Sequence, residues 1–146
     1  MNFKSGLIAA LLAMGVTSAM ADEADIIKLR QRVMDVNGQA AKVAVSMIKG
    51  ELPFDPAVAA AAATAIADDG EVFPAFFPAG TETGDTKAGD AIWSDPDGFK
   101  AAGAALVTAA KAAATAAADG PEAFGKAFGA VGAACGGCHK VYRKPS

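Results

Sequence analysis

The chain has little of what most metal sites and catalytic centres are made from. Its 146 residues contain one histidine, two cysteines, one tryptophan and one tyrosine. A zinc site needs about four ligands, and two cysteines with one histidine do not supply them. β-Branched runs are nearly absent. That argues against strands, and so against the βαβ unit beside which a thioredoxin-like cysteine pair would sit. There is no excess of positive charge either, because the formal net charge is −3. Such mild acidity argues against nucleic acid and against an anionic membrane surface as partners. No residues suggest a hydrolytic or nucleophilic site, so the chain does not read as an enzyme.

What is present begins with an export signal. Lys4 supplies a positive start, Gly6 to Val16 is a short apolar run, and Ala19-Met20-Ala21 is a small-x-small cleavage pattern. The run falls short of the roughly 20 residues that a spanning helix needs. Residues 1–21 therefore read as a secretory signal peptide, and 22–146 as one mature domain. Because residues 1–21 hold one lysine and no acid, their removal takes the net charge from −3 to −4. No further apolar run is evident, so a soluble periplasmic protein without membrane insertion is expected.

Composition favours helices nearly throughout, with Ala-rich stretches at 57–67 and 101–118. The first amphipathic helix is expected from about Ala24 to Lys49, stopping at Gly50. Its apolar side carries Ile26, Ile27, Val33, Met34, Ala41, Ala44, Val45 and Ile48. A second helix starts after Asp55-Pro56 and runs to Asp69-Gly70. The stretch 71–95, broken by Pro74, Pro78 and several glycines, reads as a long irregular connection. Its Phe73, Phe76, Phe77 and Trp93 suggest that it packs onto something apolar. Further helices are expected from about Asp95 to Ala118 and from Pro121 to about Arg143. Four helices with mostly short connections predict an all-α antiparallel four-helix bundle.

All the cysteine and histidine of the chain falls in Cys135-Gly136-Gly137-Cys138-His139. Two thiols three residues apart share a helix side and can add to the two vinyl groups of one porphyrin. The adjacent imidazole can then bind the iron. One covalent haem c is predicted near the C-terminus, through Cys135 and Cys138, with His139 on the metal.

A lone histidine excludes bis-histidine ligation within one chain. After loss of the leader, Met34 and Met47 are the remaining methionines. Thirteen residues apart, they lie about 20 Å and about 140° from one another on a helix, so at most one reaches the iron. Met34 points into the apolar stripe, whereas Met47 sits at its far edge. Arg30 and Asn37 are polar positions one turn either side of Met34. A buried guanidinium needs a partner, and a haem propionate is the obvious one for Arg30.

These residues resemble the cytochrome c′ family, the class II c-type cytochromes. The resemblance spans the mature chain through Leu29-Arg30-Gln31, Lys-Gly-x-x-Pro-[FY]-Asp at Lys49 to Asp55, Ile92-Trp93-Ser94-Asp95 with Phe99, and Cys-x-x-Cys-His-x-x-[FY]-Arg ending at Arg143. It implies a four-helix bundle with the haem between helices near one end. It also implies a propionate contact at Arg30, a basic proximal residue at Arg143 and a distal position at Met34. Met34-Asp35-Val36-Asn37-Gly38 looks like the low-spin branch, in which a methionine ligates the iron. On that footing the expected function is periplasmic single-electron transfer with His139/Met34 ligation, among redox partner proteins. The alternative is a five-coordinate haem that binds NO or CO, and a third reading is a subunit role in a respiratory assembly. The family also implies possible homodimers through the first two helices, where Val36 and Val43 lie outside the main stripe.

Overall fold

The computed structural model describes residues 23–145, so the expected leader lies outside the described residues. Helix α1 spans Glu23–Ile48, α2 Pro56–Val72, the short α3 Ala91–Ser94, α4 Pro96–Ala116 and α5 Pro121–Tyr142. Single 3-10 turns follow α2 at Phe73–Phe76 and α4 at Ala117–Asp119. The long helices pack α1 on α2, α2 on α4, α4 on α5 and α5 on α1. This closes the expected antiparallel bundle.

Local chemistry sets the helix ends. Asp55 caps α2, its Oδ1 accepting from the amides of Ala57 (2.8 Å) and Val58 (3.1 Å), with Pro56 in the first turn. Asp95 caps α4 in the same way by accepting from Gly98 N at 3.1 Å. Gly50 (φ +74°) and Gly120 (φ +101°) make the turns that send the chain back.

One expected stop is not a stop. Helix α2 continues past Gly70, which is buried. A Cβ there would stand 3.0 Å from Val107 Cγ2 on α4, so this glycine serves close packing rather than termination. The segment 71–95 is likewise more ordered than a plain loop, holding a 3-10 turn and α3.

Small residues let α2 and α4 approach closely. Ala59, Ala63 and Ala67 on one side and Ala110, Ala113 and Ala117 on the other are buried together. Phe124, Phe128 and Val131 of α5 and Ile66 fill the remaining volume. Phe124 is fully buried, a contribution of about 1.5–3 kcal/mol. Met47 is also buried in this core, at 4 % exposure, while Val45 and Ile48 are exposed. The inward stripe of α1 is thus rotated from the sequence expectation toward Met47. Pro96–Asp119 is long and apolar enough, by length and composition, to cross a membrane. It is a further apolar run where none was expected from the sequence. It packs in the bundle against α2 and α5.

A second cluster sits at the other end, where Ile92, Phe99 and Tyr142 are buried beside Phe73, Phe77, Trp93 and Cys138. Edge-to-face rings run from Phe73 to Phe77 (5.0 Å), Phe77 to Phe99 (4.9 Å) and Phe99 to Tyr142 (5.2 Å). Tyr142 donates its hydroxyl to Asp95 Oδ2 at 2.9 Å. One carboxylate therefore caps α4 and anchors the end of α5.

Gly98 leaves room for that link, since a Cβ on it would run into the Asp95 carboxylate and the Tyr142 hydroxyl. We expect Gly98→Ala to cost about 1–3 kcal/mol by overpacking, read as a lowered thermal midpoint. Desolvation first, and then the Asp95 hydrogen bond and charge, raise the Tyr142 pKa above its ordinary 10.0. The link's stability is therefore fully present below pH 10.0 and is lost as pH rises through the raised value. Tyr142→Phe should flatten the alkaline limb of the stability curve relative to the parent; an identical limb in both proteins rejects the assignment.

Candidate haem site

The attachment pentapeptide lies in the last two turns of α5 and joins the two clusters. Cys135 packs against the main core and Cys138 against the aromatic cluster. Both cysteines are free and half-buried. Burial raises the pKa of each thiol, and the charge of Cys135 adds to the rise at Cys138. Both are held as neutral thiols near neutral pH. Partial burial, and then the positive charge of Arg143, lower the His139 pKa below 6.5. The imidazole is thereby kept neutral, with a lone pair to offer a metal. Among the described residues no three of His, Cys, Asp and Glu converge as a bare metal site.

The register between α1 and α5 places Met34. A Cβ on Gly125 of α5 would lie 3.3 Å from Ile48 Cγ2 of α1, so these two residues are level. His139 lies fourteen residues beyond Gly125, and Met34 fourteen residues before Ile48. In an antiparallel pair both lie about 21 Å along from that contact, so they stand at one height. Residues 125, 129, 132, 136 and 139 fall within about 40° of one line on α5, as do Ile48, Ala44, Ala41, Asn37 and Met34 on α1. Along the α5 line, Cβ atoms on Gly129, Gly132 and Gly136 would meet nothing within 4 Å. Ile48 thus touches the Gly125 position, while Gly129, Gly132 and Gly136 are exposed and leave the line toward His139 without side chains.

Arg30 closes the outer end of this region. It is 4 % exposed. Its Nε donates to Phe76 O at 2.6 Å and Nη1 to Thr81 O at 3.0 Å, and Nη2 donates to Thr81 Oγ1. The guanidinium carbon lies 4.2 Å from the Phe77 ring centroid and 5.6 Å from that of Trp93. The cation that the sequence argument assigned to a propionate is therefore also held by backbone and threonine oxygens of the 73–81 segment. Thr81, itself buried, carries no motif, and its partner lies fifty-one residues away; nothing in the sequence signals the pair. Arg143 is exposed and extended, with its backbone bridged to Ala88. Among the described residues, Asn37 Oδ1 is buried without a hydrogen-bond partner.

Two neutral thiols and a neutral imidazole on one helix, with exposed glycines leaving the positions before them unfilled, fit a covalently attached haem. Such a bundle, with Cys-x-x-Cys-His on its last helix, is a c-type cytochrome with one haem c. The family model described as Cytochrome C' matches residues 25–143. The chain is 39% identical over 145 residues to a cytochrome c' of Rhodopseudomonas palustris, covering 98% of this chain and 97% of the relative. It is 38% identical over 117 residues to a cytochrome c-556 of Agrobacterium fabrum, covering 80% of each. Its fold is similar to the nitric oxide complex of a point mutant of cytochrome c prime from Alcaligenes xylosoxidans. That match has a TM-score of 0.77 at 31% identity and covers 86% of this chain and 99% of the other. The chain belongs to the cytochrome c′ family.

The Arg30 cluster generates a test. Hydrogen bonds to a charged group contribute about 1.5–3 kcal/mol each, so Arg30→Leu should speed amide exchange across residues 76–81 by one to two orders of magnitude. Hydrogen exchange on the holoprotein checks this, and unchanged protection there would show that the clamp is idle.

Proposed function

We propose that the haem of this chain binds a small diatomic ligand, NO or CO, on the face opposite His139, with Met34 as the side chain over that face. The carrying observation is the Ile48–Gly125 contact, which by helix rise sets Met34 level with His139. The Alcaligenes xylosoxidans relative, whose structure is a nitric oxide complex, supports the same reading. This gives priority to what the sequence analysis put second. When bound, the haem supplies an iron centre that takes electrons one at a time and coordinates such ligands. His139 offers its neutral imidazole on one side, and Cys135 and Cys138 hold the porphyrin covalently. Arg30 provides a cation for a propionate, and Arg143 places its positive charge on the proximal side beside His139. Phe77, Phe99 and Trp93 keep water from its surroundings.

Met34 itself favours a second reading. It is half-buried on the seam, and its thioether is a soft ligand. Bonded to the iron, it would make the protein an electron carrier working with redox partner proteins, since methionine ligation raises the potential.

Visible spectra in both redox states, with CO added to the reduced protein, decide between the two. A broad high-spin band that shifts on CO addition supports the ligand binder. Sharp low-spin bands indifferent to CO overturn it in favour of the carrier, and Met34→Ala should then restore the CO response.

We further propose export to the periplasm with removal of residues 1–21, and pairing of two copies through α1. Leu29, Val36 and Val43 recur every seven residues on α1 and are 38, 46 and 36 % exposed. Native mass spectrometry of the exported protein should find two copies of residues 22–146, each with one haem, and Val36→Glu should split them. A monomeric parent rejects the pairing, and a retained leader rejects the cleavage.

A further inference from the structure

Cations gather at the C-terminal end of the chain. Beyond Glu122 the last 24 residues hold Lys126, Lys140, Arg143 and Lys144 and no acid, although the whole chain has a net charge of −3. Lys87 joins the last three from the segment before α3. Its carbonyl accepts from Lys144 N at 2.8 Å, and Ala88 and Arg143 are bridged beside it. Lys87 and Lys144 therefore stand opposite each other in a short antiparallel pairing, where like charges cost stability. No ion pair offsets that cost. The salt bridges among the described residues join Lys28 to Asp25, Lys49 to Glu51 and Lys111 to Glu71. The Glu82 carboxylate accepts from Gly80 N at 3.1 Å, while the Lys144 ammonium reaches the Glu82 carbonyl at 3.4 Å. Asp95 is taken by Tyr142. Asp85 and Asp90 flank Lys87 in sequence and bridge to none of the four cations.

The cluster lies beside the residue that offers its imidazole to the iron. Lys87, Lys140 and Arg143 are exposed, as is His139, and Arg143 is near enough for its charge to act on that ring. Between Lys140 and Arg143 stands Val141, at 55 % the most exposed large apolar side chain of the described residues. An apolar centre with a charged rim is the pattern of a protein contact, and electron-transfer encounters use small ones. Near 0.1 M ionic strength charges are felt over about 10 Å. An arriving partner therefore meets this cluster rather than the net charge of the whole molecule.

We propose that Lys87, Lys140, Arg143 and Lys144, around Val141, dock the acidic face of a redox partner protein that exchanges single electrons with the haem on its His139 side. The inference goes beyond the ligand reading. It rests on the haem attached at Cys135 and Cys138, and it holds whichever way Met34 stands. An acidic protein suits the cluster better than an anionic membrane, because a broad charged sheet would also meet Asp85, Asp90 and the net negative charge of the chain.

The test oxidises the reduced holoprotein with ferricyanide, a trianion, and with tris(phenanthroline)cobalt(III), a trication. Each takes one electron from the haem iron, across about 0.05–0.5 M ionic strength. Docking at the cluster makes ferricyanide slow down as salt rises, against the sign of the net charge, while the cobalt complex speeds up. Lys140→Glu combined with Lys144→Glu should slow ferricyanide about tenfold at the low-salt end and reverse its salt slope, with the visible spectrum unchanged. An oligoglutamate peptide should shift the amide resonances of residues 140–144 in the parent and not in the double variant. A parent ferricyanide rate that rises with salt or ignores it overturns the proposal, as does an unaltered slope in the double variant. Phosphatidylglycerol vesicles that shift these resonances where the peptide does not would assign the cluster to a membrane and overturn the protein partner. Should the double variant lose its haem, Lys87→Glu, from the other side of the pairing, is read by the same slope.

Discussion

The interval between α1 and α5 governs this molecule. At one end Ile48 rests against Gly125, with no side chain on the α5 residue to hold the helices apart. Further along, glycines at 129, 132 and 136 continue the small-residue line, yet nothing approaches the Cβ positions they lack. Small residues on a helix face ordinarily invite close packing. Here they do so once. The alanine contacts of α2 with α4, together with Phe124 and Phe128 of α5, build the main core of the bundle. The two ends of the α1–α5 interval therefore differ: Ile48 meets Gly125 at one, and exposed glycines line α5 toward the other.

That other end needs its own support, and a buried cation gives it. Arg30 gathers the Phe76 carbonyl and both oxygens of Thr81, with Phe77 and Trp93 facing its charge. A desolvated guanidinium is costly unless its donors are matched. The matching fixes the 73–81 segment to α1, and the aromatic chain then carries the order to Phe99 and Tyr142. Tyr142 binds Asp95, and Gly89 and Lys144 pair across to Tyr142 and Lys87 through backbone bonds of 2.8 Å each. The turn that bears Cys138 and His139 is thus held from α4, from α1 and from the chain just before α3. Such restraint keeps an imidazole in place for its metal.

Much of this was legible beforehand. The bundle followed from alanine content and caps, since Asp55-Pro56 and Asp95-Pro96 begin helices by local hydrogen bonds that sequence can specify. The pentapeptide was legible because covalent attachment demands fixed spacing. Gly70 misled, because a glycine that ends a helix and one that admits Val107 look alike until the neighbour is known. Met47 was set at the edge of the stripe and is buried, because the rotation of α1 is decided by what α2 and α5 present to it. The Arg30–Thr81 and Asp95–Tyr142 pairs were illegible for the same reason. Their partners lie fifty-one and forty-seven residues apart, joined only by the fold.

The proposed ligand binding and the electron-carrier reading differ in one placement, that of Met34 relative to the iron. Met34 is tethered to α1, so its thioether competes with any external ligand at an effective concentration set by the helix rather than by supply. If the helix holds sulfur at bonding distance, a diatomic ligand must displace it; if the helix stands slightly farther off, the thioether only shields the face. Each 1.4 kcal/mol in that placement is tenfold in occupancy. The Ile48–Gly125 contact and the Arg30 clamp fix α1 at its two ends, with Met34 between them, one turn from the clamp. On the proposed reading, residues far from the iron, Ile48 and Arg30 among them, decide its chemistry by setting the height and distance at which Met34 stands opposite His139.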